Sequence, residues 1–303
     1  MKTIALLGQP NSGKSSLFNG LTGSHQHVGN WPGKTVEHKE GTFTYQGEQY
    51  RVIDLPGSYS LAAGSEEEMI TTEYMESGEA DLVAILVDSS QLERSLYMFT
   101  DFVGMNIPVL LILNLMDVAK AKGIQVDVDK LQEKLGIPVM GFVAADMKQY
   151  GRLKEQIANA ITVPQCVDVS LLTKYYEADE SISFNSIVEQ QESGGIYSKE
   201  KAAIRDLEKS ERGLKQSGKH KYELIDQILK ESVHKERVGN GLNRFDKWAL
   251  GKRSGKWIAL GVIVLAMVVA MVVAMPVMGI GVMIPGVLES PLRTLMTSPV
   301  SYT

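Results

Sequence analysis

Residues 8 to 15 read GQPNSGKS, set between the apolar run KTIALL and the helix-compatible SLFNGL. Glycines at both ends of such a loop let backbone N–H groups turn inward and cradle a phosphate at the positive end of the following helix. On this reading Gly8, Gln9, Pro10, Asn11, Ser12, Gly13, Lys14, Ser15 and Ser16 form a phosphate-binding loop. Lys14 then reaches the β- and γ-phosphates of a nucleotide, and Ser15 is a ligand of Mg2+. A fortuitous glycine turn is the other reading, and the strand-then-helix flanks weigh against it.

Two further motifs give the loop a partner. DLPG, Asp54 to Gly57, follows the strand-like YRVID. An Asp at a strand end can hold Mg2+, and the Gly57 N–H can meet a γ-phosphate and sense its loss. Alone, this motif is usually just a turn; after a phosphate loop it carries weight. NLMD, Asn114 to Asp117, closes the apolar run VLLIL. The Asp117 carboxylate can accept both N–H groups on the Watson–Crick edge of guanine, a pair that adenine lacks, so GTP and GDP are expected in preference to ATP. A helix N-cap is the alternative for Asp117. In VGNWPGKTVE, Thr35 is the expected switch threonine, completing the Mg2+ shell only when the γ-phosphate is present. The expected catalytic residues from these motifs are Lys14, Thr35 and Gly57; the expected metal ligands are Ser15, Thr35 and Asp54. The guanine-capping loop falls at VAAD, where the N–H of Ala144 or of Ala145 can meet the guanine O6.

The elements that must position these residues alternate. Strands are expected at Thr3–Leu7, Val36–Tyr45, Gln49–Asp54, Leu82–Asp88, Val109–Asn114 and Val139–Val143, and helices at Lys14–Leu21, Glu66–Glu76, Leu92–Gly104, Val128–Leu135 and Lys148–Ile161. Near-continuous apolar runs such as LVAILV suit strands buried on both faces. EGTFTYQGEQYRVID alternates around Gln46–Gly47 and reads as an antiparallel hairpin at one edge. The expected fold class is therefore α/β, a Ras-like P-loop GTPase domain with a mostly parallel sheet over residues 1–165. Residues 166–250, rich in Lys, Glu, Gln and Leu, read as a small helical spacer whose charge runs are solvated faces. Residues 251–288 read as a transmembrane segment, and 289–303 as a tail that gives no stop or domain signal and is expected to be truncated.

The 303-residue chain carries a net charge of −5 and one cysteine, Cys166. It therefore shows no global basic signal for nucleic acid, and a reducing compartment fits. From Trp257 to Leu288 there is no charged residue, and about 20 apolar residues suffice to cross a bilayer. Pro276 and Gly279 fall where a first span would end. Lys247, Lys252, Arg253 and Lys256 lie just upstream, which places that side, and the soluble part, in the cytoplasm. The tract holds no Asp, Glu or His to mark an ion route. The stripe Met267, Met271, Met275 and Met278 reads as packing or lipid contact. His25 and His27 read as an exposed loop pair.

HVGNWPGKTVEHKEG, then DLPGSYSL, then an NLMD-type guanine motif lacking the usual lysine, closely resemble the ferrous iron transport protein B (FeoB) family; more loosely, so do the spacer and NRFDKWAL. The resemblance implies a cytoplasmic GTPase domain that supports ferrous iron uptake through a polytopic domain of the bacterial cytoplasmic membrane, with a spacer that influences GDP release. It associates Asn11 with a bound K+ that stabilises charge developing between phosphates; capping of the loop is the alternative. It implies membrane lipid, the remaining membrane domain and small cytoplasmic iron-uptake accessory proteins as partners, with a homo-oligomer possible and no nucleic acid expected. Ser58 stands where many GTPases carry a water-orienting glutamine and is too short for that role, so turnover is expected to be slow, as suits a switch. Lys34, directly before Thr35, has no account at this level. The competing classes are a membrane-anchored Era/TrmE-like GTPase acting in RNA modification or ribosome assembly, and a membrane-remodelling GTPase. The first lacks its basic face here; the second lacks its long stalk.

Overall fold

The computed structural model describes residues 1–23, 25–61, 64–235, 248 and 255–272, in two units, Met1–Arg237 and Val238–Thr303. In the first, β1 (Lys2–Gly8), α1 (Lys14–Thr22), β2 (Gln26–Asn30), β3 (Glu37–Tyr45), β4 (Glu48–Asp54), α2 (Glu66–Glu76), β5 (Leu82–Asp88) and α3 (Leu92–Phe99) are followed by β6 (Val109–Asn114), α4 (Met116–Ala121), β7 (Ile124–Val126), α5 (Val128–Leu135), β8 (Val139–Gly141) and α6 (Tyr150–Thr162). Then come α7 (Ser170–Glu177), α8 (Phe184–Glu189), α9 (Lys199–Glu208), α10 (Glu211–Ser232) and β9 (Val233–Lys235).

Seven strands form one sheet in the order β2-β3-β4-β1-β5-β6-β8. It is parallel from β4 to β8 and antiparallel across β2, β3 and β4. The apolar runs lie centrally because both faces are covered: Ile4 and Leu6 pack with Leu17 and Phe18 on one side, Ala5 and Leu7 with Leu96 and Phe99 on the other. This is the α/β arrangement that the alternation of strand and helix signals requires. The hairpin turns at Gln46 and Gly47, φ 48° and 84°, the positive pair favoured between twisted strands.

Three departures from the sequence expectation have local causes. An additional strand, β2, lies outside the hairpin; its residues are mostly exposed, so no apolar alternation announces it. Helix α3 stops at Phe99 because the chain tightens through Thr100–Phe102 and turns at Gly104, φ 78°. The helical spacer does not form a separate body. Val167, Tyr176, Ile204, Leu224 and Ile228 join the same buried cluster as Ala5 and Leu7, each contributing about 2 kcal/mol on burial. Nor are its charges all solvated. The buried stripe of α10 runs Ser217, His220, Lys221, Leu224, Ile225, Ile228, so Lys221 points inward. Strand β9 then pairs with β7.

In the second unit, Gly255–Val272 is a helix of 18 residues with a mean hydropathy of 2.3. At 1.5 Å per residue it is about 27 Å long, close to the thickness of a bilayer's hydrocarbon core. Met267 and Met271 are exposed along it. The rest of the segment 251–288, including Pro276, Gly279, Met275 and Met278, lies outside the described residues, as do Lys247, Lys252, Arg253 and the tail 289–303.

Candidate functional site

The phosphate-type loop leaves β1 at Gly8 and enters α1 at Lys14. Gly13 adopts φ 89° and supplies no side-chain cap, so the first N–H groups of α1 remain available to an anion. Asn11, φ 66°, also takes the left-handed conformation that Asn tolerates better than most residues. Gln9 is buried and anchors the loop to α3 by donating from Nε2 to the Arg94 carbonyl, 2.7 Å. Pro10, Asn11, Ser15 and Ser16 are exposed, and Ser12 is buried beneath the loop.

A cleft of about 480 Å³ brings the phosphate loop and DLPG together; NLMD and VAAD are not part of its lining. Asn11, Gly13, Lys14, Ser15, Asp54 and Gly57 all line it. Gly57 approaches so closely that a Cβ there would stand 3.4 Å from the Pro10 ring. Lys14 Nζ pairs with Asp54 Oδ1 and donates to the Leu55 carbonyl at 2.6 Å, so in this structure the two sequence-predicted phosphate and metal groups neutralise each other.

Asn114 is the strut of the site. Its Nδ2 donates to the Ser12 carbonyl, 2.8 Å, and its Oδ1 accepts the Ala144 N–H, 2.9 Å. One fully buried side chain thus ties the phosphate loop to the capping loop. A Cβ on Gly13 would fall 2.3 Å from Asn114 Nδ2, so glycine is required there for space as well as for φ. The bond from Ala144 bears on the two sequence candidates: the Ala144 N–H is engaged by Asn114 in this structure. Tyr150, which no sequence signal marked, places its hydroxyl within bonding distance of the Ser16 and Ala144 carbonyls, 3.1 and 2.9 Å.

Asp117 is exposed in the first turn of α4, whose N-cap is Leu115 at φ 60°. The cap reading of Asp117 is therefore excluded, and its carboxylate faces solvent. Thr35 stands apart from the cleft lining, its hydroxyl donating to Glu66 Oε2 at 3.2 Å. Ser58 is buried, its hydroxyl donating to the Met98 sulfur at 3.6 Å. His27 lies in β2 opposite Glu40. Among the described residues no group of three His, Cys, Asp or Glu side chains is placed to hold a metal ion.

A family model described as ferrous iron transport protein B matches residues 2–157. The Fe(2+) transporter FeoB of Escherichia coli K12 is 47% identical over 146 residues, 47% of this chain and 19% of that protein. The chain therefore matches less than a fifth of the length of such relatives. Among solved structures, the cytosolic domain of the T. maritima FeoB iron transporter in GMPPNP form has a TM-score of 0.68 at 33% identity, covering 77% of this chain and all of that one. A GDP-bound mutant of the S. thermophilus FeoB G-domain gives 0.65 at 29% identity over 77% of this chain, again with all of that one covered. These likenesses do not favour the RNA-directed alternative.

Proposed function

The chain belongs to the ferrous iron transport protein B family, and on that premise we propose that it is the GTP-binding, slowly hydrolysing regulatory part of a bacterial ferrous iron uptake transporter, its GTP state switching a membrane domain. The observation that carries this reading is the Asn114 strut, which ties the phosphate loop to the capping loop, two residues before the helix whose first turn carries the exposed Asp117.

The chain's own groups divide the work. The N–H groups at the start of α1 receive phosphate, and Lys14 leaves Asp54 to join them. Asp117 selects guanine, with the N–H of Ala144 or of Ala145 to meet its O6. Gly57 is placed to sense the terminal phosphate. No side chain at position 58 orients water, which supports slow turnover and a switch in preference to a pump.

The cleft lining carries two cations, Lys14 and Lys39, that can meet phosphate, beside the carboxylates Glu37, Asp54 and Glu67. Ser15 and Asp54 offer the hard oxygen donors that Mg2+ prefers, and Thr35 joins them once released from Glu66. When bound, Mg2+ neutralises charge developing on the phosphates. Asn11, exposed at the loop tip with an amide oxygen to offer, fits a K+ role. The exposed apolar helix Gly255–Val272 supports attachment to the bacterial cytoplasmic membrane with the nucleotide domain in the cytoplasm. Accessory proteins and a homo-oligomer belong to the same proposal, and no nucleic acid does.

Nucleotide turnover by the purified chain, comparing GTP with ATP and K+ with Na+, tests this. GTP-selective hydrolysis that rises in K+ and loses that rise in Asn11→Ala is the expected result. Equal rates in both salts remove the K+ role, and a preference for ATP overturns the GTPase reading.

A further inference from the structure

Lys39 is the cation of the cleft that the phosphate-loop reading leaves unused. It lies on β3, directly opposite Asp54 in the antiparallel register, so the two side chains emerge on one face of the sheet, and both line the cleft. Glu37, two residues earlier on the same strand, shares that face and holds Lys39 Nζ at 2.8 Å. On the far side of Asp54, Lys14 pairs with the same carboxylate. The cleft is thus edged by a row of alternating charge: Lys14, Asp54, Lys39, Glu37.

Two features make Lys39 suited to leave that row. Its partner is weakly held, because the Lys39 and Glu37 side chains are 31% and 55% exposed, and exposed ion pairs exchange readily. Its backbone, by contrast, is fixed. Lys39 pairs with Val28 of β2 on one side and Asp54 of β4 on the other, whereas Thr35 sits in the loop before the strand. A lysine's flexible four-carbon stem can redirect its ammonium while the strand stays still. When Lys14 moves from Asp54 toward phosphate, Lys39 is the remaining cation next to that carboxylate.

Resting on the GTP reading above, we propose that Lys39 is a second positioning cation for the nucleotide. It leaves Glu37 for the terminal phosphate of the triphosphate and favours GTP over GDP from a rigid strand, independently of the loop that carries Thr35. A purely structural Lys39–Glu37 pair has no reason to distinguish the two nucleotides.

The test measures binding of a fluorescent non-hydrolysable GTP analogue and of fluorescent GDP to the full 303-residue chain in detergent with saturating Mg2+. Lys39→Ala is expected to weaken the analogue about tenfold, the loss of one charge-assisted contact, while GDP changes by less than about twofold. Lys39→Arg retains the discrimination, and Glu37→Gln, which releases Lys39, does not weaken the analogue. Equal weakening of both nucleotides, or of neither, in a chain where Lys14→Ala loses both overturns the Lys39 assignment alone. A wild-type chain that binds neither nucleotide overturns the GTP reading and the assignment together.

Discussion

The backbone N–H of Leu61 donates a 2.7 Å hydrogen bond to Asp101, whose other carboxylate oxygen lies 2.6 Å from Lys221 Nζ. Leu61 ends the DLPGSYSL segment that begins at Asp54, and Lys221 belongs to α10. The DLPGSYSL segment therefore terminates on a buried ion network of the helical part, which Glu208 extends with a 2.7 Å pair to Lys221. Burial alone pushes Lys221 down, but Asp101 and Glu208 outweigh it and hold its ammonium above the usual lysine range.

Asp101→Asn separates the two roles of this carboxylate. The amide can still accept the Leu61 N–H, but the charge facing Lys221 is gone. Breaking one side of a buried pair costs about 3 to 5 kcal/mol. Urea unfolding is expected to show a loss of that order; a change under about 1 kcal/mol means that the network has already relaxed around water.

Lys201 gives the stability a pH dependence. It is 2% exposed, and burial outweighs the attraction of Asp101 and Glu208, pushing its pKa down to about 8 from 10.5. The folded state thus binds this proton less tightly than the unfolded chain. The resulting destabilisation is fully present below pH 8 and is relieved as pH rises from 8 toward 10.5. A shift of this size corresponds to about 3 kcal/mol. Between pH 7.5 and 9.5 the unfolding free energy is expected to rise, and Lys201→Met is expected to flatten that slope and raise stability at the lower pH. The window stops short of pH 10, above which Tyr97 and Tyr176, both raised chiefly by burial, act in the opposite sense. A flat wild-type profile rejects this account.

Asn114→Ala leaves the Ser12 carbonyl and the Ala144 N–H without their shared partner. At about 1 to 3 kcal/mol for each buried group left unsatisfied, a stability loss of about 3 kcal/mol is expected, together with a steep fall in nucleotide affinity. Thermal unfolding and nucleotide titration of the same sample check both. Normal affinity in a destabilised variant reduces Asn114 to a packing residue.

How much of this was legible depends on where the information resides. GQPNSGKS, DLPG and the runs LVAILV and VLLIL declare themselves because backbone geometry and two-sided burial restrict those positions to few residue types. Strand β2 is silent because its pairing with β3, and no pattern of its own, makes it a strand. The inward face of α10 is hidden because Ser217, His220 and Lys221 fill half of it, and only the carboxylates brought to them by the fold make their burial tolerable. That Asn114 engages the Ala144 N–H, across 30 positions of sequence, was likewise not legible before the fold. Lys39, inside the polar HKEG, gains its meaning only from the register that sets it opposite Asp54.

Asp117 offers the sharpest test of base recognition. Leu115, at φ 60°, caps α4 without a side-chain bond, so the Asp117 carboxylate is not engaged by its own helix. An acceptor pair facing guanine matches the N1–H and the 2-amino group. Xanthine keeps the N1–H but carries an oxygen at C2, so it calls for one acceptor and one donor, which an asparagine side chain supplies. Asp117→Asn leaves its amide N–H facing the guanine 2-amino group and one donor unpaired, and is therefore expected to lower GTP affinity by about a hundredfold, two buried-group penalties of roughly 1 to 2 kcal/mol each, and to create binding of xanthosine triphosphate. Competition of both nucleotides for the variant reads this directly. If the variant keeps the wild-type preference, the guanine edge is read by some other group, and the placement of the base beside α4 is wrong.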